Sequence, residues 1–173
     1  PYGGDTQFTN LMAAYNALSP ALQTFVCGLR GIFRNGMAGG ANVSKEYAEQ
    51  IKNRTLESEH PLVRVHPETG ERALYVAPTH LKDIVDLTPT ESEGVLEILW
   101  GHIVRPEFTV RFKWEPGSVA FWDNRAVSHL APKDIFASDF DRQFYRVTLV
   151  GDVPVGVDGK ESISLQGEPI LAA

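Results

Sequence analysis

The chain carries five histidines and one cysteine, so a metal, nucleophile or proton-transfer site has few places to sit. His129 follows the apolar run Val119-Ala120-Phe121-Trp122, and Arg142 and Arg146 bracket the start of the next one, Phe144 to Val150. The two arginines are four residues apart, an even offset, so on an extended strand both guanidinium groups project from one face. Two cations on one face attract anions. Residue type and spacing leave two readings open: a structural histidine with surface ion pairs, or an anion site with a metal ligand beside it.

The other histidines divide along similar lines. His66-Pro67-Glu68 matches a metal-binding His-x-Glu pair by letters, but Glu68 falls in a turn before Thr69-Gly70, where solvent exposure is expected, and the pair reads as structural. A hydrolytic zinc site would need three protein ligands, and His66, Glu68 and His129 are the only candidates. That reading is discounted with the pair. His102 falls within a helical pattern and reads as a surface or packing residue. His80, in Tyr75-Val76-Ala77-Pro78-Thr79-His80, is either a surface-loop residue or part of a pocket wall. Cys27 cannot form an internal disulfide, lies in an apolar stretch and reads as a buried thiol in a reducing compartment.

Helical signals dominate the N-terminal third. Leu11, Met12, Ala14, Tyr15 and Leu18 recur at helical spacing over Thr9 to Leu18. Ser19-Pro20 opens a second helix with Leu22, Phe25, Val26 and Leu29 as its stripe, weakened at its end by Gly28 and Gly31. The glycine-rich run 35–41 reads as a loop and 44–53 as a short polar helix. From His60 the pattern turns to strands: Leu62 to Val65 and Ala73 to Val76 flank a hairpin tip at Pro67 to Gly70. Thr88-Pro89-Thr90-Glu91 is a capping box ahead of Val95, Leu96, Leu99 and Ile103. Phe108, Val110, Phe112 and Trp114 alternate with polar residues, Pro116-Gly117 turns the chain, and 119–122 and 144–150 read as two more strands. The tail after Asp152 has little core potential. Helices first, then an antiparallel module with one inserted helix, fit an open sheet or a closed barrel equally.

Length and composition bound these readings. At 173 residues, with 43% hydrophobic and 22% charged residues, the sequence suits one packed domain and excludes disorder or a fibrous repeat. A formal charge of −6 without long runs of one sign argues against nucleic acid as a partner. No stretch of 18 apolar residues offers a membrane span, and no secretory leader opens the sequence; a cytoplasmic location is expected.

The stretch from His60 to Asp152 resembles the taurine dioxygenase family of iron(II)- and 2-oxoglutarate-dependent oxygenases. The resemblance lies in His60-Pro61-Leu62-Val63-Arg64-Val65-His66-Pro67-Glu68-Thr69-Gly70, in Val119 through Ala126 (Val-Ala-Phe-Trp-Asp-Asn-Arg-Ala) with His129 four residues after Arg125, in Arg142 through Asp152, and in the opening Gly3-Gly4-Asp5-Thr6 followed by an Ala-Ala-Tyr helix. It implies a mostly β fold with helices, a double-stranded β-helix or jelly roll, with N-terminal helices and an inserted helix. It also implies iron(II) held by two histidines and a carboxylate, with open positions for 2-oxoglutarate and O2. Carried over, His129 is the distal iron ligand, while Thr6 and Arg142 hold the far carboxylate of 2-oxoglutarate. Arg146 meets the anionic head of the primary substrate, and Trp122 is wall; no catalytic residue is implied beyond the metal site.

The family's remaining two ligands, a His-x-Asp or His-x-Glu pair, come upstream of the Gly-Gly-Asp-Thr segment and are expected before Pro1. The chain thus reads as one domain, 1–173, forming the C-terminal portion of such an enzyme. The implied reaction hydroxylates a small anionic organic substrate, an alkyl sulfonate or alkyl sulfate. It releases sulfite or sulfate plus an aldehyde as 2-oxoglutarate loses CO2 to give succinate. His80, where the family usually places an aromatic residue, and the absence of a bulky aromatic in 35–41 point away from taurine itself. A homo-oligomer is expected. The alternative is a jelly-roll anion-binding module without iron or activity.

Overall fold

The computed structural model describes residues 3–35, 49, 56–134, 143–168 and 170. Gly3 and Gly4 adopt positive φ, a conformation open to glycine at no steric cost, and lead into β1 (Thr6–Asn10). Asn10 ends the strand and caps α1 (Leu11–Asn16), its Oδ1 accepting from the amides of Met12 and Ala13 at 3.1 and 2.9 Å. The helix expected from Thr9 therefore starts two residues later, and a strand precedes it. Ser19 and Pro20 open α2 (Pro20–Cys27) as expected; of its stripe Val26 is fully buried, whereas Phe25 is exposed. The chain then enters β2 (Arg30–Arg34), so Gly31 lies within a strand instead of fraying a helix. Of the polar helix expected over 44–53 only Glu49 is described, in helical conformation; the remainder and most of the 35–41 loop lie outside the described residues.

β3 (Glu57–Pro61), β4 (Val63–Val65) and β5 (Arg72–Leu74) follow. The expected hairpin joins β4 to β5, with Val63 opposite Leu74 and Val65 opposite Arg72, and Gly70 takes φ 72° at its tip. β6 (Leu81–Ile84) leads to α3 (Pro89–Ile103), whose capping box forms as predicted: Thr88 Oγ1 accepts from the Glu91 amide and Glu91 accepts from the Thr88 amide. A 3₁₀ turn at Pro106–Phe108 precedes β7 (Thr109–Phe112). β8 (Val127–Leu130), β9 (Val155–Gly156) and β10 (Ile163–Gln166) complete the described strands.

These strands form three antiparallel sheets, ordered β7-β1-β8, β10-β3-β2-β6 and β5-β4-β9. Leu62, Val63, Ala73, Leu74 and Val76 from the hairpin meet Leu11, Ala14, Tyr15 and Leu18 from the first helix and its exit, and Leu96, Leu99 and Ile103 from α3, in one buried core. His102 belongs to this packing: its Nε2 lies 2.8 Å from the Ala14 carbonyl oxygen and its ring meets Phe108. Cys27 is half-buried, with Sγ 3.2 Å from the Tyr15 hydroxyl.

Two expected strands do not form. Residues 119–122 and 143–150 are in neither helix nor strand, and their apolar side chains, Phe121, Tyr145, Val147 and Leu149 foremost, stand exposed. Alternation marks a segment able to pair, and a ladder also requires a partner edge; neither segment has one among the described residues. The tail departs from expectation in the opposite direction, since β9 pairs with β4 and β10 with β3.

Candidate metal and anion site

The β7-β1-β8 sheet gathers the site. In antiparallel pairing, directly opposed residues project from the same face. Phe8 stands opposite His129 on one side and Val110 on the other, and Thr6 opposite Phe112. Thr6, Phe8, Phe112 and His129 therefore share a face. Trp114, two residues past Phe112, extends it: its ring meets Phe112 at 4.8 Å and Phe144 at 4.6 Å. Its Nε1 donates to Thr6 Oγ1 at 2.9 Å, and Thr6 is buried.

His129 sits against an aromatic wall, with Trp122 at 5.1 Å and Phe8 at 6.0 Å between ring centroids. Trp122 and Phe8 also touch, at 5.2 Å. Partial burial against these rings, and then the field of the Arg146 guanidinium, hold the imidazole below its ordinary pKa. Both effects favour the neutral ring, the state that a metal ligand must have. Neither ring nitrogen has a hydrogen-bond partner among the described residues, and the residue is open to solvent on its outer side. Arg146 is exposed. Arg142 lies outside the described residues.

Among the described residues no three histidine, cysteine or carboxylate side chains converge as a metal site. The residues present fit one ligand position, a neutral imidazole at a solvent-open sheet face beside a cation, and not a complete coordination sphere. His66 and Glu68 do not supply the remainder. The His66 ring is buried and both its nitrogens are engaged, Nδ1 by the amides of Glu68 and Thr69 and Nε2 by Asp123. The Glu68 carboxylate bonds Arg125 on the surface.

His80 lies away from this face, in the turn just before β6. It lines a cavity with Phe33, Arg34, Asn35, Leu56, His60 and Tyr75, among others, and burial, then Lys82, lowers its pKa. Inside this cavity the His60 ring meets Phe33 and Tyr75 edge-on at 4.8 and 5.2 Å. Desolvation, then the cations Arg30 and Arg64, push its pKa down to about 4.

Reading the sequence alone missed Phe8, Trp114 and Phe144 as parts of the wall around Thr6 and His129. Phe8 follows Thr6 by two residues and Trp114 ends a period-two run, so the signal was present once β1 is known to be a strand. Asp123 and Arg125 were quoted within a motif but given no task.

The described strands are all antiparallel, and His129 on β8 lies within the field of Arg146, an arrangement compatible with a double-stranded β-helix. Residues 1–148 match the family described as "Taurine catabolism dioxygenase TauD, TfdA family", and the chain belongs to that family. It is 61% identical to a taurine dioxygenase of solved structure from Burkholderia xenovorans, with a TM-score of 0.85, covering 98% of this chain and 55% of that one. It is 39% identical to an alpha-ketoglutarate-dependent sulfate ester dioxygenase of Pseudomonas putida, over 92% of this chain and 54% of the relative. An alkylsulfatase of Acinetobacter baylyi is 37% identical over 91% of this chain and 51% of its own. The chain thus spans about half the length of the relatives that it matches. The expected mostly β jelly roll is the fold that these structural neighbours share. No helix among the described residues is long and apolar enough to cross a membrane.

Proposed function

We propose that the chain is the C-terminal portion of an iron(II)- and 2-oxoglutarate-dependent dioxygenase whose primary substrate is a small organic anion, an alkyl sulfonate or alkyl sulfate. The observation that carries this reading is the neutral His129 imidazole within the field of Arg146, on the face it shares with Thr6. His129 is one iron ligand, and a His-x-Asp or His-x-Glu pair from sequence preceding Pro1 provides the other two. Bound iron supplies O2 activation coupled to decarboxylation of 2-oxoglutarate to succinate.

This chain's own residues bind and orient. Thr6 and Arg142 hold the far carboxylate of 2-oxoglutarate, a match suited to a planar guanidinium. Arg146 meets the sulfonate or sulfate head, and Phe8, Trp114 and Trp122 form the aromatic wall beside it. His80 contributes to substrate choice from its cavity; in the family this position usually carries an aromatic ring, so a substrate other than taurine is favoured. A cytoplasmic homo-oligomer fits the single unpaired cysteine and the symmetric assemblies usual for such enzymes.

The test uses the full-length protein. Anaerobic addition of iron(II) and 2-oxoglutarate should produce the visible charge-transfer band of a chelated complex, and substrate-dependent succinate formation should disappear in His129→Ala. No band and no succinate from the wild type would instead favour an iron-free anion-binding module. Arg146→Ala should raise the substrate's KM at least tenfold with a smaller change in kcat; an unaltered KM removes its anchoring role.

A further inference from the structure

The segment that delivers His129 to its strand is tied to the β4–β5 hairpin by a closed ring of polar contacts. His66 Nδ1 accepts from the amides of Glu68 at 3.3 Å and Thr69 at 3.2 Å, so the ring hydrogen resides on Nε2, which donates to Asp123 Oδ2 at 3.1 Å. Asp123 also accepts from the Arg125 amide at 2.8 Å, and from its guanidinium through Nε to Oδ1 at 2.9 Å and Nη2 to Oδ2 at 2.7 Å. Arg125 Nη2 returns to Glu68 Oε1 at 2.8 Å. The carbonyl of Asp123 receives the amides of Ala126 and Val127, both at 3.1 Å, and Val127 is the first residue of β8.

The neighbours of this turn are the site. Trp122 precedes Asp123 and packs on His129, and the Ala126 carbonyl accepts from the Leu11 amide at 3.0 Å. The Asp123 carboxylate thus anchors a turn whose backbone carries the wall residue Trp122 on one side and, through the Asp123 carbonyl, the start of β8 on the other. The Arg125 contacts, and behind them His66, hold the Asp123 carboxyl well below its ordinary range, so the carboxylate stays ionised across neutral pH. His66 is 5% exposed, and Arg125 lies 3.8 Å from Asp152, which also binds buried Arg64.

We propose that His66 and Asp123 are positioning residues that fix the 122–129 segment and thereby set the location of the His129 imidazole. The letters that mimic a metal pair, His66-Pro67-Glu68, serve as the hairpin's half of a latch. The inference rests on the functional reading for its consequence to metal binding, but not for the latch itself.

In the full-length protein, His66→Leu keeps bulk and removes the Nε2 donor, whereas His66→Gln can still present an N–H to Asp123. Hydrogen–deuterium exchange followed by mass spectrometry should find amides 123–130 exchanging at least tenfold faster in His66→Leu, with β4 and β5 protected as in wild type and His66→Gln within threefold of wild type. Iron(II) affinity, titrated anaerobically with 2-oxoglutarate, should fall about tenfold in His66→Leu, as for other groups that orient metal ligands, and recover in His66→Gln. Unchanged exchange over 123–130, or faster exchange spread through the core, overturns the proposal. Should His66→Leu fail to fold, Asp123→Asn takes its place with the same expectations. If the wild type binds no iron, the functional reading falls while the exchange data still decide the latch.

Discussion

His60 illustrates how much one ring in the wrong medium can cost. It is wedged between Phe33 and Tyr75, its Nδ1 is buried without a partner among the described residues, and two arginines act on it. Folding therefore favours the neutral ring, with a pKa of about 4 against the ordinary 6.5. Below pH 6.5 the unfolded chain takes up a proton that the folded chain refuses, so stability falls as pH drops from about 6.5 to about 4 and levels off below that. The cost across this window is roughly 3 kcal/mol at most. Urea unfolding at pH 7 and pH 4.5 should find the wild type losing more stability than His60→Phe; equal losses would sink the assignment. Asp123 acts in the same direction through the opposite chemistry, because its depressed carboxyl lends stability above the ordinary carboxylate range that disappears in stronger acid. The letters of the sequence single out His129 as a candidate ligand, but that His66 spends both nitrogens inside the protein is not legible in them, since it depends on two amides of the following turn and on Asp123.

Elements with local signals were legible. The Thr88 capping box and α3, the Ser19 cap and α2, and the hairpin closed by Gly70 all carry their instructions within a few residues. Strands defined by distant partners were not. β1 reads Thr-Gln-Phe-Thr-Asn, too short and polar to stand out, and it becomes a strand because β7 and β8 flank it. β2 hid behind Gly31, a residue that weakens helices and strands alike in isolation. In the fold Gly31 is needed for contact: a Cβ there would clash with Leu81 Cδ1 and lie 3.2 Å from Leu62 Cδ1, both in the core. Gly31→Ala should cost about 1–3 kcal/mol through overpacking, read as a lowered urea midpoint with an unchanged slope. A neutral result would mean that Leu81 repacks freely.

On the scale of the whole molecule, the 173-residue chain leaves a broad apolar surface uncovered. Phe121 is 95% exposed and Tyr145 93%, with Val119, Val147, Leu149 and Val150 near them in sequence and mostly exposed too. Apolar side chains exposed to this degree suit a surface covered by a partner segment or subunit. The chain produced alone should enhance the fluorescence of an apolar dye and shift to larger species in gel filtration as concentration rises. Val147→Thr combined with Leu149→Thr should lessen both effects, and their persistence would locate the sticky surface elsewhere. The jelly-roll class was legible from motifs covering most of the chain, yet the ladders at 119–122 and 144–150 were not to be had from alternation, because pairing requires a second edge.

The last strands carry a consequence of another kind. β10 lies along the outer side of β3, and β9 along the outer side of β4, so a segment without an apolar core of its own occupies hydrogen-bonding rims that would otherwise offer unpaired amides and carbonyls to any passing chain. Arg30 donates to the Glu161 carbonyl at 2.8 Å, and Ser162 folds back on Pro154 through both its amide and its hydroxyl, which pins this selvedge in place. The edges that then face outward are poor templates for another chain, since β9 is two residues long and β10 pairs through a register shift between Ser164 and Gln166.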